Sequence, residues 1–168
     1  VAHVHWIKEV EGQEGELPDQ GGSEREMGPI EGIRVIELSN NQAGATAGML
    51  LSDYGATVIR IDPLGSDGGL SKPGYLVWNR GKKSVTLNVQ SPQGKDVFLR
   101  LLEGSDVLLE TLEPPEMARL GLDYETLHNQ FPGLVYCSLT GYDIDGPDWG
   151  RPGYDGLVQA RGGIMTGG

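Results

Sequence analysis

Short β-branched runs separated by helix-length segments recur from Gly32 to the end of the chain, and this alternation limits the fold more than any other feature. Ile33-Arg34-Val35-Ile36-Glu37-Leu38 reads as a first strand and Ala56-Thr57-Val58-Ile59-Arg60-Ile61 as a second. Between them, Asn40 and Asn41 offer N-cap oxygens to a helix over Gln42 to Tyr54, which Gly55 stops in a left-handed conformation. The Gly- and Pro-rich loop from Asp62 to Gly74 has no assignable period. Ser84 to Val89 is the third strand, Val107-Leu108-Leu109 the fourth, and Leu134-Val135-Tyr136-Cys137-Ser138-Leu139 the fifth. Ser91-Pro92 opens a helix that ends near Gly104, Pro being suited to a first turn. Helical turns over Pro115–Arg119 and Tyr124–Asn129 precede the fifth strand, and a last helix runs from Tyr154-Asp155 to Gly162 and Gly163. Near-continuous apolar strands in this rhythm predict a parallel sheet covered on both faces. Right-handed crossovers make it a Rossmann-like, doubly wound, mainly parallel α/β layer in which Ile36, Val58, Val85, Leu108 and Val135 are buried. Ligands of such sheets bind at the carboxyl ends of the strands, here the loops after Leu38, Ile61, Leu109 and Leu139.

Composition narrows the function classes. The 168 residues suffice for one domain with a real core. A pI near 4.6 argues against nucleic acid, which demands a broad basic face. No apolar run approaches the ~20 residues of a membrane span, and no charged-then-apolar signal segment stands at the N-terminus. The single Cys137 excludes an internal disulfide and points to a reducing, cytoplasmic setting. It lies within an apolar strand pattern, as an inert buried thiol does. Residues 1–28 hold seven acids and two bases with few apolar residues after Val10, and read as an acidic flexible arm before a domain over 29–168. His3 and His5 stand two apart with no further ligand nearby, so no metal site is predicted.

The common cofactor signatures are missing. After the first strand, Ser39 to Gly48 lacks G-x-G-x-x-G; Gly44 and Gly48, four apart among small residues, read as close helix packing. Neither a P-loop nor a G-x-S-x-G elbow occurs. What remains is Asn79-Arg80-Gly81-Lys82-Lys83-Ser84, three cations in four residues, in a chain of formal net charge −11. Such a cluster is either a solvated strand entrance or a local anion site.

Several blocks decide the matter by resemblance. They are Leu50-Leu51-Ser52-Asp53-Tyr54-Gly55-Ala56-Thr57-Val58-Ile59-Arg60-Ile61-Asp62, Asn79 to Ser84, and Ser105-Asp106-Val107-Leu108-Leu109-Glu110. Arg119-Leu120-Gly121-Leu122-Asp123-Tyr124 follows, then Leu139-Thr140-Gly141-Tyr142, Gly146-Pro147 and Arg151-Pro152-Gly153-Tyr154-Asp155. In this order the run from Pro29 onward resembles the N-terminal part of the class III CoA-transferases, the family of formyl-CoA and carnitine CoA-transferases that also holds α-methylacyl-CoA racemase.

The resemblance implies that 29–168 is a coenzyme A-binding domain, the N-terminal half of the family's large domain, cut short at its C-terminus. Coenzyme A carries a 3′-phosphate and a pyrophosphate, so its binder needs local cations even when acidic overall. Arg80, Lys82, Lys83 and Arg119 are the implied phosphate contacts, Leu87 lines the adenine pocket, and Gln42-Ala43 sits near the thioester. Where relatives often carry Glu-Asn-Phe-x-Pro-Gly, this chain has Glu110-Thr111-Leu112-Glu113-Pro114-Pro115, and Glu113 brings an acid towards the phosphate region. The implied reaction moves CoA from an acyl-CoA donor to a carboxylic acid acceptor through an aspartyl anhydride. Its nucleophilic aspartate falls beyond Gly168, so no residue of this chain is catalytic, and Asp155 reads as a helix cap instead. No cofactor is bound permanently; CoA passes through as substrate, and the full-length form is a homodimer. The racemase branch places a histidine where Tyr154 stands, which favours the transferase. A racemase-like fragment and a stand-alone CoA-binding module are the alternatives.

Overall fold

The computed structural model describes residues 28–65, 74–143, 146–149, 151 and 153–163. The acidic arm read for 1–28 lies outside them save for Gly28, as do His3, His5, the centre of the loop after Asp62 and the end of the chain from residue 164. Five strands, β1 (Arg34–Leu38), β2 (Thr57–Asp62), β3 (Lys83–Thr86), β4 (Val107–Glu110) and β5 (Val135–Ser138), form one parallel sheet in the order β3-β2-β1-β4-β5. The helices are α1 (Gln42–Asp53), α2 (Tyr75–Trp78), α3 (Pro92–Leu102), α4 (Pro114–Leu120), α5 (Tyr124–Gln130) and α6 (Asp155–Arg161). This is the α/β, Rossmann-like order that the alternation predicts.

Local chemistry sets the boundaries. Asn41 caps α1 by accepting the Gly44 N–H at 3.0 Å, and Ser91 caps α3 through the Gly94 N–H at the same distance. Past α1 the chain turns at Gly55, whose φ of +106° is open to glycine at little cost. Pleating then divides the core. Ile36, Leu38, Ile59, Ile61, Leu87 and Leu108 pack against Phe98, Leu102, Met117 and Leu127 of α3, α4 and α5. Val35, Val58 and Leu109 point the other way, onto the side of Ala47 and Leu51 of α1.

Four expectations need correction. Val135 is 60% exposed and Val85 only half-buried, because each stands on a strand at an edge of the sheet. The third strand ends at Thr86 rather than Val89. The turn α2 was not legible as a helix, being four residues long. Asp155 is not the cap of α6: Tyr154 occupies that position without a side-chain bond, and Asp155 sits in the first turn, where its charge favours the helix dipole. Among the described residues no helix is long and apolar enough to cross a membrane.

Candidate functional site

The α1 side of the sheet stops being apolar at its carboxyl end. Glu37, Arg60, Asp62 and Ser84 share that side, and register sets Glu37 opposite Arg60 and Arg60 opposite Ser84. Arg60 Nη1 lies 2.6 Å from Glu37 Oε1, and its Nε 2.9 Å from Asp62 Oδ1. Lys82 reaches in from the turn before β3 and places Nζ 2.7 Å from Glu37 Oε2. The same ammonium donates to Ala45 O at 2.7 Å and Asn79 Oδ1 at 3.0 Å. Ser84 Oγ donates to Asp62 Oδ2 at 2.6 Å, with the buried Tyr75 hydroxyl 3.4 Å from that oxygen. Two buried acids therefore meet two buried bases. An unpaired charge in such a place costs several kcal/mol, so removing any one partner is worse than the set is good. Burial opposes the charge on Arg60, but Glu37 and Asp62 outweigh it and raise the guanidinium above its ordinary value. Burial also pulls the Lys82 ammonium down, and Glu37 offsets only part of that.

This network grips the loop after β1. Arg60 donates to Ser39 Oγ at 3.1 Å and Ser39 O at 3.2 Å, while the Ser39 hydroxyl donates to Glu37 Oε1 at 2.5 Å. The next residue, Asn40, donates its N–H to Thr111 Oγ1 at 3.1 Å, just past β4. Strand order reverses between β1 and β4, so the crevice between their loops is the switch point at which ligands of open parallel sheets bind. Gln42 and Ala43 stand exposed there, at the start of α1.

A second recess, of about 440 Å³, opens beyond the end of β3 and is lined by Leu64, Leu87, Asn88, Ser91, Gln93 and Val97. At Gly94 in its wall, any side chain would collide with the Asn88 carbonyl. The next residue, Lys95, donates to Leu120 O at 2.6 Å and so brings the last turn of α4, with Arg119, beside the start of α3. On the same face Glu110 is 1% exposed and accepts the Leu112 N–H at 2.8 Å. Burial drives its carboxyl pKa up, against the hydrogen bonds from Ser138 and Leu112 that pull it down.

The residues expected to bind divide by partner. Gln42 and Ala43 lie at the crevice, Leu87 in the recess and Arg119 next to it. Lys83 and Arg119 are exposed, and among the described residues neither forms an ion pair. Arg80 is partly exposed and held by Asp53 at 2.5 Å and the Val77 carbonyl at 3.1 Å. Lys82 is turned inward, its side chain 2% exposed. The cation cluster of the sequence is therefore not one patch. Glu113, half-buried at the N-cap of α4, makes no side-chain cap bond. Leu64, Ser91 and Gln93 were not singled out from the sequence, since nothing in their spacing marks them. Glu37 did carry a signal: an acid inside an apolar strand, with Arg60 on the matching face of the next.

A parallel Rossmann-like layer with a switch point between β1 and β4 and a recess past β3 is the architecture in which small ligands bind at the carboxyl edge. The chain belongs to CoA-transferase family III, which it matches over residues 30–168. It is 39% identical over 150 residues to a probable fatty acyl-CoA transferase of Mycobacterium tuberculosis, covering 83% of this chain and 38% of that protein. To the succinate–glutarate CoA-transferase of Agrobacterium fabrum it is 38% identical over 154 residues, covering 82% of this chain and 38% of the relative. The crystal structure of the M. tuberculosis protein superposes with a TM-score of 0.77 at 40% identity, covering 84% of this chain and 40% of the other. A CAIB/BAIF family protein from Brucella suis gives 0.76 at 35% identity, covering 83% and 40%. The chain thus spans about two fifths of the length of these relatives.

Proposed function

We propose that residues 29–168 are the coenzyme A-binding domain of a family III CoA-transferase, within a longer protein that moves CoA between an acyl-CoA donor and a carboxylate acceptor. The observation that carries this reading is the coincidence of the family match with a strand-order switch point at the carboxyl edge of the sheet and a recess at Leu87 past β3. In it, Leu87 lines the adenine site, Lys83 and Arg119 meet phosphate, and Gln42 and Ala43 lie towards the thioester. Arg80 contributes by giving up Asp53, since an exposed ion pair holds it by only ~0–1 kcal/mol. Lys82 does not contribute by contact, because its ammonium is committed to Glu37 and the Ala45 carbonyl.

In the full-length homodimer, an aspartate beyond Gly168 attacks the thioester carbonyl, and CoA leaves as the thiolate while a mixed anhydride forms. The thiolate then attacks the aspartyl carbonyl and releases the donor carboxylate, leaving an aspartyl-CoA thioester, and the acceptor carboxylate takes CoA from it by the same steps in reverse. Within this chain the task is narrower: to hold the nucleotide end and aim the thioester at the crevice. Titration of the chain with CoA and with 3′-dephospho-CoA tests the reading. CoA should bind at least about tenfold more tightly, a charge-assisted phosphate contact being worth more than 1.4 kcal/mol. Equal affinities, or none, would sink it. Mass spectrometry with acyl-CoA donors and carboxylate acceptors should detect no transfer by this chain alone; turnover would place the nucleophile inside residues 1–168.

A further inference from the structure

The inward course of Lys82 leaves its part in the domain unassigned. Its ammonium touches three separate elements: Glu37 of β1, the Ala45 carbonyl in α1, and Asn79 in the turn that leads to β3. A methyl group on Gly48 would collide with the Glu37 carboxylate and come within 3.1 Å of Lys82 Nζ, so the helix lies directly on this pair. Asn79 Oδ1 also accepts from Arg60 at 3.3 Å, and Arg60 in turn holds both the hydroxyl and the carbonyl of Ser39. The path from Lys82 to the crevice therefore has one link through Glu37 to the loop after β1, and another straight into α1 just behind Gln42 and Ala43.

We infer that Lys82 is a positioning residue: by neutralising Glu37 beneath α1, it fixes the start of that helix and the Ser39–Ala43 loop in the form that receives the CoA thioester. This rests on the CoA reading above for its ligand, though not for its geometry. The electrostatic argument is direct. Glu37 Oε1 is already taken by Arg60 and Ser39, and Oε2 faces the helix with Lys82 as its one ion-pair partner among the described residues. Without Lys82 the second oxygen is a buried charge against the helix, and the inexpensive relief is for α1 to lift and admit water. With Glu37 made neutral as well, Arg60 and Asp62 still balance each other and the helix has no reason to move. The cation of a phosphate contact behaves otherwise, because neutralising Glu37 returns nothing to the phosphate.

The test compares wild type, Lys82→Met and the charge-balanced pair Glu37→Gln with Lys82→Met, all in the 168-residue chain. Amide hydrogen exchange is read first, with no ligand present. Lys82→Met should speed exchange of the amides from Ala45 to Leu50 about tenfold or more, and the double variant should recover most of that protection. Unchanged exchange in Lys82→Met, or a double variant no better than the single, overturns the inference. Circular dichroism of the double variant shows that the fold survives when the single variant proves too unstable to handle; an unfolded double variant also counts against the proposal. CoA affinity at three ionic strengths is read second. Lys82→Met should bind about tenfold more weakly with the salt dependence of wild type, and the double variant should regain affinity. A flattened salt dependence that the double variant does not restore would make Lys82 a phosphate ligand. If wild type fails to bind CoA, the functional reading falls, while the exchange measurement still decides the role of Lys82.

Discussion

The Glu37 carboxylate occupies the place where a methyl group on Gly48 would stand. Alanine is ordinarily the better helix former, by ~1 kcal/mol over glycine in a helix interior. Here the sign should reverse. A side chain at 48 must push back Glu37, and with it the ion pairs to Arg60 and Lys82. Gly48→Ala should therefore destabilise the chain by about 2–3 kcal/mol, the cost of overpacking together with a displaced buried charge. Urea denaturation measures it, and a stabilised variant would show that α1 does not rest on the pair.

Glu110 offers a prediction in pH. Burial raises its folded-state carboxyl pKa above the ordinary value, with the charge of Glu113 adding to that and hydrogen bonds from Ser138, Leu112 and Tyr136 opposing it. Between the unfolded and the raised folded value the native chain holds more protons than the unfolded one, so stability falls as pH rises through this window. Above it the penalty is constant. Glu110→Gln cannot ionise and should flatten the stability profile across that range. The check is a set of urea midpoints from about pH 4 to pH 8 for both proteins; parallel curves would mean that Glu110 titrates as if exposed.

Asp123 tests the opposite sign. It caps α5, accepting the Thr126 N–H at 3.0 Å and the Thr126 hydroxyl at 2.8 Å. Slight burial works against ionisation, but these bonds outweigh it and hold the carboxyl below its ordinary range. Its contribution is present above the unfolded pKa and is lost as pH falls through the depressed folded value. Asp123→Ala should cost about 1 kcal/mol at neutral pH, and the gap to wild type should close in acid. Thermal unfolding at both pH values decides it.

These three sites show what the sequence can and cannot carry. Asn41, Ser91 and Gly55 act within a few residues of themselves, so the ends of α1 and the start of α3 are readable from their neighbours. The succession of strands along the chain is readable too, because each apolar run sits between cap signals. Burial at the sheet edges is not: Val135 has the composition of a core strand, yet among the described residues β5 stands at the sheet edge and Val135 is exposed. For the site, Leu87 and Gln42 are marked by resemblance alone, and the structure sets them at the carboxyl edge. The cations are the hardest to read. Lys82 and Lys83 are adjacent and chemically identical, yet the one in the turn before β3 reaches towards Glu37 and the one that opens the strand is exposed. Asp62 is two residues from Arg60 on the same strand face, but Glu37, which claims both Lys82 and Arg60, lies far away along the chain, where only the pairing of strands brings it in.

That division predicts how three exposed cations will differ. Arg119 in the last turn of α4 is exposed and, among the described residues, without an ion-pair partner, and Lys95 holds its helix beside the recess at Leu87. If it meets a CoA phosphate, Arg119→Ala should weaken CoA binding by about 1–3 kcal/mol and lower its sensitivity to salt. Lys83→Ala should do the same to a smaller extent, since a single ammonium lacks the fork geometry of a guanidinium. Arg80→Ala should weaken binding by less than about 1 kcal/mol, because the arginine must first leave Asp53. Removing Arg119 or Lys83 disturbs no buried partner, so exchange protection in α1 should stay as in wild type for both. Calorimetric titration with CoA at fixed salt ranks the variants. An Arg80 variant that loses more affinity than the Arg119 variant would place the phosphates at the approach to β3, and would return the nucleotide end to the cluster that the structure assigns to holding the sheet and α1 together.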